Sequence, residues 1–180
     1  MNLISPNSPA YYLTSVARNR LPVFRLDGIK WITCEALDNA RNSGGFLILA
    51  YVIMPDHLHL ITDNAREPSD IQRFVNGNIA RKVIDYLKEN DFKQSLEKLR
   101  HDEYGRGHQY SLWDRHPNAR LLTSESMFMQ RVHYTHLNPV RLGLVERAED
   151  YLFSSARIWN KCPLDVEPLE MDLKQIRWRR

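Results

Sequence analysis

Residues 46–62 limit the possible folds more than any other stretch. Phe46 to Met54 is a nearly unbroken apolar run, Pro55-Asp56 breaks it, and His57-Leu-His-Leu-Ile-Thr62 follows at once. A run of that length, rich in aliphatic residues, reads as a strand buried on both faces, and two such strands joined by a tight turn form a hairpin. Side chains alternate faces along a strand, so His57 and His59 point one way while Leu58 and Leu60 point into a core on the other. Two imidazoles one strand repeat apart on one face can share a divalent metal.

The rest of the chain supplies partners for that hairpin. Ala10 to Ala17 has the aromatic and β-branched content of a first strand. Ile29 to Arg41 carries apolar residues near helical spacing and is stopped by Gly44-Gly45. Ser69 is the expected N-cap of a long helix to about Glu89, with an apolar stripe of Ile71, Phe74, Val75, Ile79, Val83, Ile84 and Leu87. Residues 90–118 read as a long irregular connection, a class of segment that is often functional. Ala119 to Thr123 is a short strand, and Ser124 opens a helix that Pro139 is expected to close. Strand, helix, hairpin, helix, strand, helix is the order of an α+β sandwich. It predicts a ferredoxin-like antiparallel sheet with helices packed on one face and the histidine strand central.

The second chemical feature lies in the last helix. Tyr134 and Asn138 are four residues apart and share a helix face. An amide carbonyl oxygen suits Mg²⁺ or Mn²⁺, and a phenol can act as a nucleophile. Placed over His57 and His59, that face completes a reaction: the two imidazoles and the Asn138 oxygen hold the metal, and Tyr134 attacks a phosphodiester, leaving a covalent phosphotyrosine. An ordinary phenol titrates near about 10 and needs a base or a metal's field to act at neutral pH. The ester conserves bond energy, so rejoining requires no ATP, and no Gly-rich nucleotide loop is present, since Gly105-Arg-Gly107 lacks the third glycine. His133 and His136 flank the tyrosine and read as helix-surface residues. Asp56 either orients His57 as a hydrogen-bond acceptor or simply makes the turn.

Composition excludes several classes. Two cysteines, Cys34 and Cys162, without a Cys-x-x-Cys, point away from a disulfide scaffold or thiolate zinc site and toward a reducing cytoplasm. No apolar run approaches membrane-spanning length, and the first nine residues lack a signal-peptide pattern. Lys and Arg exceed Asp and Glu by 25 to 22, a net +3, which is compatible with a nucleic-acid partner without requiring one. Arg73, Arg81 and Lys82 on the long helix, with Trp113 and Arg115 in the connection, are candidates for contacting DNA phosphates and bases. Arg177, Trp178, Arg179 and Arg180 form a basic end that could do the same.

Met54-Pro-Asp-His57-Leu-His59-Leu-Ile, Tyr134-Thr-His-Leu-Asn138-Pro-Val-Arg-Leu-Gly-Leu-Val145 and Tyr151-Leu-Phe-Ser-Ser155 together resemble the single-tyrosine transposases of the HUH superfamily, and most of all the branch associated with repetitive extragenic palindromes (REP). The resemblance covers roughly residues 10–160. It implies one transposase domain over 1–160 with a C-terminal extension over 161–180, a divalent metal, and cleavage and rejoining of single-stranded DNA beside a hairpin. Its matched residues would be His57, His59 and Asn138 as metal ligands and Tyr134 as nucleophile, in a monomer or a homodimer. Where many relatives carry Trp-Gln-Arg, this chain has Trp113-Asp-Arg-His-Pro-Asn118. Two rival readings are a catalytically silent or domesticated hairpin-binding module of the same fold, and a hydrolase using metal-bound water.

Overall fold

A computed structural model of the chain describes residues 4–100, 109–114 and 118–175. Four strands form one antiparallel sheet: β1 (Ala10–Val16), β2 (Ile48–Ile53), β3 (His57–Thr62) and β4 (Asn118–Leu122), in the order β2-β3-β1-β4. The histidine strand β3 is therefore interior, as its sequence predicts. The helices α1 (Asp27–Gly44) and α2 (Pro68–Glu89) pack on each other and on one face of the sheet. Gly45 ends α1 in the left-handed region (φ 66°), its N–H donating to Arg41 O at 2.8 Å. The long helix starts at Pro68, with Glu67 rather than Ser69 at the N-cap position. A proline fits the first turn because its missing N–H has no helical partner there.

Strand alternation builds two unequal cores. Tyr11 and Leu13 of β1 and Leu58 and Leu60 of β3 point toward Ile29 and Leu37 of α1 and Ile71, Val75, Ile79 and Val83 of α2. Ala10, Tyr12 and Ile61 point the other way, where Leu122, Phe128 and Val132 close a smaller cluster. The helix α4 (Glu125–Arg141) thus crosses the face opposite α1 and α2. Ser124 caps it as expected, its Oγ accepting from Met127 N at 3.2 Å.

Pro139 does not close α4, which runs on to Arg141. Proline has no N–H to offer Thr135 O one turn back, and the Asn138 side chain substitutes: Nδ2 donates to Tyr134 O at 2.8 Å and to Thr135 O at 3.4 Å. Gly143 then ends the following turn at φ 70°. The connection 90–118 is also less irregular than its composition indicates, because Lys93–Leu99 forms a short helix, α3, that buries Leu99.

The chain beyond α4 seals the outer edge of β2. Ser155 N donates to Tyr51 O at 3.1 Å, Ile53 N to Phe153 O at 2.9 Å, and Asp172 N to Ile48 O at 3.1 Å. Side chains do the same: Ser155 Oγ accepts from Tyr51 N at 3.0 Å, and Trp159 Nε1, from the short helix α5 (Ala156–Trp159), donates to Leu49 O at 2.9 Å. An edge so covered offers no ladder for another chain. It also explains why every residue of β2 is buried. Among the described residues no helix is long and apolar enough to cross a membrane.

Candidate active site

The sheet face under α4 gathers the residues singled out in the sequence. His57 and His59 share that face with ring centroids 4.8 Å apart. Each imidazole is held by its Nδ1. For His57 the partner is Asp56, Oδ1 lying 2.6 Å away, and Asp56 Oδ2 in turn accepts from Arg20 Nη1 at 3.0 Å. Burial pushes the Asp56 carboxyl up, but the hydrogen bond to His57 and the Arg20 charge outweigh it and leave the group below the usual carboxylate range. Asp56 thus accepts from the His57 ring as well as standing in the turn.

His59 is set by the neighbouring strand. Thr14 stands directly opposite it across the β1–β3 ladder, and Tyr12 lies on the diagonal. Tyr12 OH is 2.8 Å and Thr14 Oγ1 3.0 Å from His59 Nδ1, with the Tyr12 ring stacked on the imidazole at 5.2 Å. Burial, then the nearby His57 and Arg131 charges, pushes His59 down to about 3, so its imidazole is neutral at pH 7. Burial likewise pushes the Tyr12 hydroxyl up to about 12.

Tyr134 comes down from α4 onto this pair. Its ring centroid is 5.8 Å from that of His59 and 6.4 Å from that of Tyr12, both edge-on. Asn138 lies one turn further along the same helix face and uses its amide nitrogen on the backbone, as above. Two cations flank the tyrosine: Arg131 Cζ is 5.6 Å and Arg141 Cζ 4.8 Å from its ring centroid.

The donors that the paired histidines offer a metal are two ring nitrogens. Among the described residues no group of three or more His, Cys, Asp or Glu is placed to hold an ion. The histidines nonetheless fit one, because anchoring each ring through Nδ1 leaves Nε2 as the free donor. In His59 this requires the proton on Nδ1, donated to Tyr12 or Thr14 oxygen.

The expected DNA contacts are not part of this cluster. Arg73, Arg81 and Lys82 ride on α2, across the sheet from the histidines, where Arg73 pairs with Asp70 at 3.2 Å, Arg81 reaches Asn78 at 3.5 Å and Lys82 ties α2 to Glu35 of α1 at 2.9 Å. Trp113 is half-buried against Phe24, ring centroids 5.6 Å apart, and its indole N–H donates to Asn76 O at 2.9 Å. Its face is engaged in packing, the ordinary fate of a tryptophan. Arg115 and the basic end from Arg177 to Arg180 lie outside the described residues, as do Gly105 to Gly107. His136 departs from the surface position expected of it. It is buried, pushed down to about 4 by burial and then by His133, and its Nε2 meets Ser155 Oγ at 2.8 Å. Two residues beyond Tyr134, it faces the segment that seals β2 rather than solvent.

Sequence reasoning missed Tyr12, Thr14, Arg131 and Arg141. The arginines were within reach, since 131, 134, 138 and 141 recur at helical spacing on one face. Tyr12 and Thr14 required the β1–β3 register, which no local pattern contains.

No family model and no curated protein matches the sequence. Solved structures do match. One, a REP-associated tyrosine transposase bound to a REP hairpin, aligns with a TM-score of 0.62 over 96% of this chain and 90% of that one, at 17% identity. The chain shares the fold of that protein. A candidate transposase from Deinococcus radiodurans R1 aligns with a TM-score of 0.47 at 20% identity, over 71% of this chain and 88% of the other. In this transposase fold the histidine pair sits on an interior strand and the tyrosine on the helix that crosses it.

Proposed function

We propose that the protein is a metal-dependent transposase that cuts and rejoins single-stranded DNA beside a hairpin through a 5′-phosphotyrosine intermediate. The observation that carries this reading is the edge-on approach of Tyr134 to His59, 5.8 Å between ring centroids, on the sheet face that His59 shares with His57. The fold neighbour that is bound to a REP hairpin supports a DNA hairpin as the partner.

His57, His59 and Asn138 would hold Mn²⁺ or Mg²⁺, and a bound ion would supply Lewis-acid polarisation of the phosphodiester. The chain's own residues do the rest. Asp56 and the Tyr12–Thr14 pair fix the two imidazoles in place. Tyr134 Oη forms a bond to phosphorus while the bond from phosphorus to the upstream 3′ oxygen breaks, and the proton lost from the phenol ends on that 3′ oxygen. The products are a protein-linked 5′ phosphate and a free 3′ hydroxyl. Attack by a second 3′ hydroxyl reverses the step and frees Tyr134, so neither water nor ATP is consumed.

The test is incubation with end-labelled hairpin DNA and Mn²⁺. An adduct that survives SDS and is absent from Tyr134→Phe is the expected result. Binding without an adduct would identify a silent hairpin-binding module instead. Free 5′ ends produced equally well by Tyr134→Phe would mean hydrolysis by a metal-bound water.

A further inference from the structure

Like Arg120 of β4, which stands opposite Tyr12, Arg131 and Arg141 differ from the carboxylate-matched cations near the sheet. Arg20 is matched by Asp56, Arg73 by Asp70 and Lys82 by Glu35. Among the described residues neither Arg131 nor Arg141 has a carboxylate partner. Both lie instead over aromatic rings: Arg131 is 5.3 Å from the Tyr12 centroid and 5.6 Å from that of Tyr134, and Arg141 is 4.8 Å from that of Tyr134. With Tyr134 and Asn138 they complete one stripe of α4, at intervals of three, four and three residues. Arg131 also acts electrostatically on both His59 and Tyr12, so its charge reaches the sheet below.

Two guanidinium groups without carboxylate partners around one phenol make a positive patch. A cation over an aromatic ring gains little by itself, which does not account for two of them converging on the same tyrosine. Each guanidinium presents a planar fork of donors that matches the non-bridging oxygens of a phosphate. We propose that Arg131 and Arg141 form a two-armed clamp that seats the scissile phosphodiester against Tyr134, and are catalytic residues in that they touch it. The clamp rests on the reading of Tyr134 as the nucleophile. It places the phosphate grip on α4 beside the reacting oxygen and not on α2.

Two measurements test it separately from that reading. In single-turnover reactions with hairpin DNA and Mn²⁺, Arg131→Gln and Arg141→Gln should each slow adduct formation about a hundredfold, the scale of losing one charge-stabilising donor. Hairpin affinity should fall less than tenfold, with the salt dependence of log K shallower by about 0.7 per arginine removed. Arg→Lys variants should recover only part of the rate, because an ammonium lacks the fork. Adducts formed at the wild-type rate by both Gln variants, with Tyr134→Phe inactive, would overturn the clamp and leave the transposase reading intact. The second measurement requires no turnover: titrating the metal-free wild-type protein with the dinucleotide dTpdT while following arginine Nε–H resonances by NMR. Shifts at Arg131 and Arg141 support the clamp even if no adduct ever forms, and their absence at saturating dTpdT overturns it.

Discussion

Replacing Arg157 by Leu offers the most direct test of how the region after α4 supports the site. Arg157 is 8% exposed in its side chain, as is its partner Glu167. Nε and Nη2 donate to the two carboxylate oxygens at 3.2 and 2.7 Å, while Nη1 donates to Tyr151 O at 2.9 Å and Nη2 to Leu152 O at 2.8 Å. The substitution leaves a buried carboxylate without its cation, which costs about 3–5 kcal/mol. The stranded carbonyls of Tyr151 and Leu152 lie where the chain begins to seal β2, so their loss of donors adds to that. For a chain of this size each kcal/mol is worth about 2–4 °C in Tm, so the drop should be about 6–20 °C. Urea and thermal unfolding measure it, and the double variant Arg157→Leu/Glu167→Leu should recover most of the loss by removing both charges. A single-variant cost under about 1 kcal/mol would refute the reasoning, since it would mean that Glu167 simply turns to solvent. The consequence for function follows from Ser155, which joins Tyr51 to His136 on α4. Loosening it should lower the adduct rate in the folded fraction as well as the stability.

Metal binding can be tested without DNA. Mn²⁺ at a hundred times its Kd should stabilise the wild-type protein by about 2.7 kcal/mol, and His57→Ala or His59→Ala should abolish the Tm increase. An equal increase in both variants would place the ion elsewhere. Acid should destabilise the metal-free protein early. His59 and His136 are depressed to about 3 and about 4 in the folded state, so the unfolded chain binds more protons than the folded one below about pH 6.5. The stability they contribute is present above that pH and is lost as pH falls toward 4, at about 1.4 kcal/mol per pH unit per histidine. Denaturant midpoints in EDTA at pH 7, 6 and 5 report the slope, and His136→Gln should remove about half of it. A flat profile between pH 7 and 5 would contradict the burial of both rings.

The central hairpin was legible because strand alternation and a Pro-Asp break are local signals, and they placed His57, His59, Leu58 and Leu60 on their correct faces. The Tyr134–Asn138 pair was legible for the same reason, since helical spacing alone puts both on one stripe. What failed depended on contacts distant in sequence. Pro139 reads as a helix stop until the Asn138 side chain takes over the missing donor's work. His136 reads as a surface residue until the chain returns with Ser155 to cover it. The helix α3 escaped because five polar residues with Leu96 and Leu99 are too few to establish a period.

The unequal cores give the site its rigidity. Burying a neutral His59 and a protonated Tyr12 on one face contributes little hydrophobic stabilisation and requires their polar atoms to be paired. The opposite face, where Leu58 and Leu60 meet the two long helices, holds the larger apolar cluster and can support that expense. The same β3 residues that carry the imidazoles alternate with those leucines, so the histidine rings cannot shift register without pulling Leu58 and Leu60 out of the main core. The position of α4 is less constrained, since Phe128 and Val132 are its principal apolar anchors to the sheet. If substrate binding moves anything in this fold, the geometry favours a shift of α4 and Tyr134 over a histidine pair that stays fixed. Amide exchange should therefore be slowest in β3 and faster along α4, and hairpin DNA should slow α4 selectively. Uniform protection of both elements before DNA is added would argue that Tyr134 is already locked in place.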